Sequence, residues 1–138
     1  MIVQGGRGSL ARVPTLTLPM VLRALGALLL GVLVGAVGTV MHRSVRPWGV
    51  VVCLLLVLAA AVVVRAWGGW VTSVGLLIGL FGSVQVLSGR GPGGDVLVPA
   101  DGMIGWVWAL GSLAVALLVA VAPRAWFADV PLRRPSAP

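Results

Sequence analysis

The sequence predicts an all-α integral membrane protein, a four-helix bundle that runs up-down-up-down with both termini in the cytoplasm. Two observations predict this fold. Of the 138 residues, 59% are hydrophobic and 9% charged, whereas a soluble domain carries about 25% charged residues. Four apolar stretches also have about the 17–25 residues that an α-helix needs to cross a bilayer. These stretches cover residues 21–41, 48–64, 70–87 and 103–122.

Residues 20–123 are therefore predicted to form one transmembrane domain. A cytoplasmic N-terminal segment at residues 1–19 precedes it, and a cytoplasmic C-terminal tail at residues 124–138 follows it. The first stretch is interpreted as a helix, because its apolar core exceeds the about 7–15 residues usual for a signal peptide. The second stretch lies at the lower length limit for a span, and Arg65 at its end is expected to extend to the lipid headgroups.

Arginine residues predict the orientation. Four spans place both termini and the loop between the second and third spans on one side, which carries seven arginines against three on the other. Because cytoplasmic loops carry the Arg excess, both termini are predicted to be cytoplasmic and the protein a multi-pass protein of the cell membrane. The arginines stand at the ends of spans, which argues against a nucleic-acid partner. The seven are Arg7, Arg12, Arg23, Arg65, Arg124, Arg133 and Arg134, and the three are Arg43, Arg46 and Arg90.

All six tryptophans fall near the ends of predicted spans. The indole ring combines a large apolar body with one polar N–H group, so it favours the interface between lipid and water. The sequence therefore predicts an aromatic belt at both membrane surfaces. The outer belt contains Trp48, Trp106 and Trp108, and the inner belt contains Trp67, Trp70 and Trp126.

Small residues recur at every fourth position in two of the spans. Gly31 and Gly35 share a face of the first span, and Gly75 and Gly79 share a face of the third. Small residues at this spacing let two helix backbones approach closely, which replaces the hydrophobic drive that helices lack in lipid. We expect these faces to pack inside one chain, with a dimer face as the alternative. Because the first two loops are short, sequential spans are expected to form antiparallel hairpins.

Reactive side chains are few. Cys53 is the only cysteine, and it cannot form a disulfide within the chain. His42 stands beside Arg43 with no second His, Cys or Glu nearby in the sequence, and it is interpreted as a polar residue of the interface. No carboxylate or base falls near the middle of a span, where it would indicate a functional site. The sequence therefore predicts no catalytic residue, no metal site and no cofactor.

Three polar residues are nevertheless candidate site residues. Asp95 and Asp101 lie in the Gly- and Pro-rich loop between the third and fourth spans, where a carboxylate pair can bind a cation or act as acid and base. Two solvated turn residues are the alternative interpretation, because Asp101 is followed by glycine. Gln85 lies in the outer third of the third span, where its amide is expected to need a partner across the bundle.

Composition excludes two classes of four-helix transporter. Small multidrug exporters carry a membrane-embedded Glu in the first helix, and this chain contains no Glu. Small fluoride channels line their pore with Asn and Phe, whereas this chain contains no Asn and places only Phe81 within a predicted span.

The order of motifs along the chain resembles a known family. Pro47-Trp48-Gly49 opens the second span, and the Gly-Asp step at Gly94 and Asp95 precedes a fourth span that begins with the aromatic run from Gly105 to Gly111. In this order the chain resembles a small actinobacterial family of four-span membrane proteins that is known only as a domain of unknown function. The resemblance implies a four-helix fold and supplies no mechanism, because the family has no established activity.

Abundant packing residues beside few reactive ones predict a non-enzymatic accessory or scaffold component that acts through contacts between helices. The expected partners are the lipid bilayer and either a second copy of the chain or another membrane protein, with no substrate assigned. The alternative is a small transporter or channel subunit that forms its path by oligomerising. A further alternative is an enzyme that uses Asp95 and Asp101 at the external surface.

Overall fold

The computed structural model describes residues 17–45, 47–89 and 103–127. Within these segments the chain forms four α-helices followed by a short 3₁₀ helix, so the predicted all-α class is confirmed. The helices are α1 at Leu18–Met41, α2 at Trp48–Gly68, α3 at Trp70–Ser88, α4 at Met103–Val121 and the 3₁₀ helix at Arg124–Phe127.

The α-helices follow the predicted spans closely except at the end of α2. This helix continues past Arg65 to Gly68, so it has 21 residues and is longer than its apolar run alone indicates. The charged head of Arg65 reaches a polar group just beyond the end of α4, since its Nη2 donates to the carbonyl oxygen of Ala122 over 3.0 Å. A charged residue near the end of a span is tolerated when its head reaches polar atoms.

A single residue, Gly69, connects α2 to α3. Gly69 has φ 70° and ψ −137°, a backbone conformation that residues with a Cβ rarely adopt. Its N–H donates to the carbonyl oxygen of Arg65 over 3.1 Å. The hydroxyl of Thr72 donates to the carbonyl oxygen of Val64 over 2.8 Å and so ties the start of α3 to the end of α2. The two helices therefore form a very tight antiparallel hairpin.

The most extensive contact between helices joins α1 to α3. A Cβ on Gly31 would lie 2.9 Å from the backbone nitrogen of Leu80, and a Cβ on Gly75 would lie 2.6 Å from the carbonyl oxygen of Ala24. Both distances are too short for a real Cβ, so the backbones approach this closely only because glycine stands at both positions. The contacting residue numbers rise together in the two helices, which shows that α1 and α3 run parallel.

Two further glycines continue this contact toward the end of α1. A Cβ on Gly35 would lie 2.8 Å from the carbonyl oxygen of Leu80, and a Cβ on Gly79 would lie 2.9 Å from the backbone nitrogen of Val32. Close van der Waals contact of this kind is what holds helices together in lipid. We call the contact the glycine seam, and it consists of Gly31, Gly35, Gly75 and Gly79.

Helix α4 packs chiefly on α2. Leu54 of α2 lies 3.2 Å from where a Cβ on Gly111 would stand, and Arg65 reaches Ala122. These two helices therefore also run parallel. The predicted alternation of helix direction holds, but the largest contacts join α1 with α3 and α2 with α4 instead of sequential neighbours. The physical reason is the glycine seam, which brings the backbones of α1 and α3 together.

The bundle has a small core and an apolar exterior. Val57, Val64 and Leu76 are buried in the core. Large apolar side chains also face outward, and Leu29 of α1 is 62% exposed. A continuous apolar surface promotes aggregation in water but suits a lipid environment. Since all four α-helices are long and apolar enough to cross a membrane, the chain is a multi-pass membrane protein.

Candidate functional site

Buried polar side chains meet at the end of the bundle where α1 stops and α4 begins, which we call the outer end after the predicted orientation; the opposite end is the inner end. His42 directly follows α1 and is 2% exposed. Its Nδ1 lies 2.8 Å from the carbonyl oxygen of Thr39 and 3.2 Å from that of Gly38. Because a carbonyl oxygen only accepts, Nδ1 carries the hydrogen and donates it. In the neutral ring Nε2 then holds a lone pair, and it has no hydrogen-bond partner among the described residues.

Trp108 of α4 covers this end of α1. Its ring stacks on the imidazole of His42, with the ring centroids 6.0 Å apart and the planes inclined by 13°. Its Nε1 donates to Oγ1 of Thr39 over 3.3 Å. The indole occupies the space that a Cβ on Gly38 would need, so this position requires glycine for close approach. We call this arrangement the His42–Trp108 contact.

The predicted position of Trp108 in the outer aromatic belt is wrong, because the side chain is 2% exposed. His42, at the end of α1 where it was predicted, is likewise buried inside the bundle instead of exposed on its surface. The polar N–H of Trp108 finds Thr39 inside the protein and does not need the headgroup region. The sequence did contain a signal, since Gly38 and Thr39 lie one turn before His42 on the same side of α1. The exposed tryptophans are Trp48, Trp67, Trp70, Trp106 and Trp126.

The His42–Trp108 contact is a joint between two helices. The indole N–H can only donate, and the hydroxyl of Thr39 accepts it, so these two groups satisfy each other. Within its three segments, the structure describes no group of three or more His, Cys, Asp or Glu side chains that could hold a metal ion. The contacts within the joint are hydrogen bonds and one ring stack.

A second polar contact joins α2 to α4 at the inner end of the bundle. The guanidinium of Arg65 donates from Nη2 to the carbonyl oxygen of Ala122, just beyond the last residue of α4. Carbonyl groups at a helix C-terminus lack partners within the helix and carry partial negative charge, so a cation stabilises them. Nε and Nη1 of Arg65 are buried without a partner among the described residues. Arg65 thus links two helices, a role that its predicted extension toward the headgroups did not include.

The four glycines that were predicted to mediate helix packing all lie in the glycine seam. They bring α1 and α3 of the same chain together, and each is buried. The alternative use of these glycines, as a dimer face, would require surfaces that are already occupied within the chain.

The outer half of α3 presents a different surface to the surrounding lipid. Ile78, Gly82 and Gln85 are exposed and follow each other at helical spacings that place them on one side. The amide of Gln85 was expected to bond across the bundle, but it forms no hydrogen bond to the residues that the structure describes. We call this surface the outer face of α3, and its residues are Ile78, Phe81, Gly82, Gln85 and Val86.

Asp95 and Asp101 lie outside the described residues. Their predicted role as a carboxylate pair therefore stays a prediction, and so does the alternative that they are solvated turn residues.

Comparison with known proteins gives no further assignment. No family model, no curated protein and no solved structure matches the chain. The resemblance to the actinobacterial family of unknown function stays a prediction.

Proposed function

We propose that the protein is a non-enzymatic accessory component of the cell membrane that acts by contacting other membrane-spanning helices. The observation that supports this proposal is the glycine seam. It holds the backbones of α1 and α3 in contact, while side chains such as Val57 and Trp108 fill the core beside it. A bundle with a filled interior is suited to presenting a fixed exterior to partners, because little of its own packing has to change when they bind.

The exterior supplies surfaces for such contacts. An apolar groove runs between α1 and α3 and is lined by Val32, Ile78 and Gly82 among others. A second apolar groove, between α1 and α2, is lined by Val37, Val52 and other residues. Grooves beside small residues accept the side chains of a neighbouring helix, which is how helices associate in lipid.

We further propose that both termini are cytoplasmic and that the chain belongs to the actinobacterial family that it resembles. The arginine distribution supports the orientation, since Arg23 and Arg65 stand at the inner end of the bundle, the end at which α1 begins. Reporter domains fused to the two termini test it. Both reporters should be found on the cytoplasmic side of the membrane. Reporters found on opposite sides of the membrane would contradict the four-span topology.

Photo-crosslinking in the native membrane tests the accessory role. A photoreactive amino acid is placed singly at Leu29 of α1, Val52 of α2, Val86 of α3 and Leu118 of α4, all of which are exposed. A partner-binding bundle should give a discrete protein adduct from one or two of these positions. Val57 in the core is the matched control and should give none. Lipid adducts alone at all four exposed positions would contradict the proposal.

A small transporter or channel that forms its path between copies is the second candidate. The observation that favours it is the exposed amide of Gln85, which borders a shallow pocket between α3 and α4 together with Phe81 and Ser112. A polar group on the exterior of a span is the kind of group that lines a path formed by oligomerisation. Flux of ions or small thiols into vesicles that contain the intact chain would support this candidate, and background flux would remove it.

A further inference from the structure

Helix α3 carries glycines on two sides, and only one of these sides contacts another helix in the part of the chain that the structure describes. Gly79 faces α1, whose backbone leaves no room for a Cβ. Gly82, less than one turn later, would have nothing within 4 Å of a Cβ among the residues that the structure describes. Glycine weakens a helix relative to alanine, and lipid chains do not require it. An approaching helix backbone does require it, because a side chain would hold that helix away.

Gln85 lies on the same side of α3, within one turn of Gly82, and supplies an independent observation. Its amide offers two donors and an acceptor, and lipid tails satisfy none of them. Side chains on a helix lean toward its N-terminus, so Gln85, near the outer end of α3, leans toward the middle of the bilayer and away from the outer headgroups. A second membrane-spanning helix can supply a hydrogen-bond partner at that depth.

We infer that a second copy of this chain binds the outer face of α3, with the Gln85 amides of the two copies hydrogen-bonded to each other. Two copies inserted in the same direction pair about an axis along the membrane normal, so residues at equal depth face each other. The amide is self-complementary, because each copy can donate to the carbonyl oxygen of the other. The inference rests on the proposed role in helix contacts and names the partner of one surface.

The surroundings of Gly82 and Gln85 fit such a pairing. Helix α3 contains no charged residue, so two copies meet there without repulsion between like charges. The apolar groove beside Gly82, between α1 and α3, is lined by residues that include Leu28, Val32 and Val86. When two α3 helices meet at Gly82, the side chain of Ile78 or Val86 of the second copy can enter this groove of the first copy.

Disulfide crosslinking of the full chain in phosphatidylcholine vesicles tests the inference. Cys53 is the only cysteine, so Cys53→Ala alone gives a cysteine-free background. Into it we place Ile78→Cys or Val86→Cys on the outer face of α3, and Leu29→Cys or Leu110→Cys as matched controls on α1 and α4. Ile78 and Leu110 are equally exposed, at 59%. Crosslinked dimer from both α3 positions and background levels from both controls would support the inference. Equal crosslinking at all four positions, or none at any, would overturn it.

Gln85→Leu then tests the amide itself, measured as the dimer fraction at low protein-to-lipid ratio. Interhelical hydrogen bonds in membranes predict dissociation that is about 3- to 20-fold easier. The monomer should remain folded, because Gln85 is exposed and bonds to no described residue. Adding Leu110→Gln restores one amide on the wrong helix and should not restore crosslinking through Val86→Cys. An unchanged dimer fraction in Gln85→Leu would overturn the inference.

The two proposals fail separately. A chain that does not crosslink through α3 in vesicles, yet forms adducts with a different protein in its native membrane, would overturn the self-association and leave the accessory role standing. A chain that crosslinks through α3 but gives no adduct with a different protein would support the self-association and count against the accessory role.

Discussion

Helix α1 contacts the parallel helix α3 and the antiparallel helix α4 in opposite ways. Along the glycine seam, side chains are absent and the backbones touch. At the His42–Trp108 contact, the largest side chain of the core enters the gap and is held by a ring stack and a hydrogen bond to Thr39. Both solutions depend on glycine in α1, since Gly38 makes room for the indole just as Gly31 makes room for α3.

The difference teaches which kind of change each contact can tolerate. In the glycine seam the two backbones touch, so no side chain there can be shortened and none can be enlarged without pushing the helices apart. A contact built around one large ring can lose atoms, but it then leaves a cavity and an unpaired polar group. In lipid, where little hydrophobic drive exists between helices, both rely on the closeness of their fit.

The largest effect is expected from filling the glycine seam. Gly79→Leu places a side chain where the backbone of α1 already lies, and backbone cannot yield as a flexible side chain can. We expect a loss of more than about 3 kcal/mol in the free energy of unfolding, at the upper end of what overpacking produces. Denaturant unfolding of the dilute, detergent-solubilised monomer, followed by tryptophan fluorescence, measures the loss. Gly82→Leu on the open side of α3 is the matched control, and equal losses from the two variants would contradict the seam.

Removing the indole ring from the His42–Trp108 contact should have the next largest effect on the free energy of unfolding. Trp108→Ala removes a fully buried ring and should lower the free energy of unfolding by about 3 kcal/mol, at the low end for such truncations. Trp106→Ala removes an exposed ring of the same helix and should change it by less than about 0.5 kcal/mol. The same unfolding assay compares the two. If Trp106→Ala proved as harmful as Trp108→Ala, the stacked and buried position of Trp108 would not be what stabilises α4.

A smaller effect is expected from removing only the hydrogen bond of the His42–Trp108 contact. Thr39→Val keeps the shape of the side chain but deletes the oxygen that accepts from Nε1 of Trp108. The expected loss in the free energy of unfolding is about 1 kcal/mol, within the range for interhelical hydrogen bonds in membranes. Thr39→Ser retains the hydroxyl and should stay close to the wild type. A loss from Thr39→Ser that matches the loss from Thr39→Val would assign the effect to packing.

The smallest effect on the free energy of unfolding is expected from a substitution at Gly82, just beyond the glycine seam. Gly82→Ala adds a methyl group where the described residues leave open space, and alanine favours the helix by up to about 1 kcal/mol relative to glycine. The dilute, detergent-solubilised chain should therefore unfold with an unchanged or slightly higher free energy. Gly79→Ala, in the same assay, should be destabilised. A destabilised Gly82→Ala would extend the seam beyond Gly79.

The sequence was sufficient to predict the spans, their alternating direction and the faces that pack closely. It did not identify the partner of each face. A row of small residues indicates that a helix comes near, but Gly31 and Gly35 carry no information that selects α3 over α2. Only the three-dimensional arrangement supplies that choice.

The remaining differences between prediction and structure concern single residues whose surroundings differ from those expected. Trp108 has the composition and position of an interface residue, and only the tertiary contact with Thr39 and His42 makes it part of the core. Arg65 ended the predicted second span because it is charged, yet the helix continues to Gly68, and the guanidinium donates to the carbonyl oxygen of Ala122. Gln85 was expected to bond inward because amides in spans need partners, and the sequence alone cannot tell an inward side from an outward one.

The one-residue link at Gly69 has a consequence for how the chain enters the bilayer. No hydrophilic segment separates α2 from α3. If one of the two helices entered the membrane alone, the other would remain in water with its apolar side chains exposed to solvent, which is unfavourable. We therefore expect residues 48–88 to enter the membrane together, as one helical hairpin. Lengthening this link with polar residues would divide that single event into two.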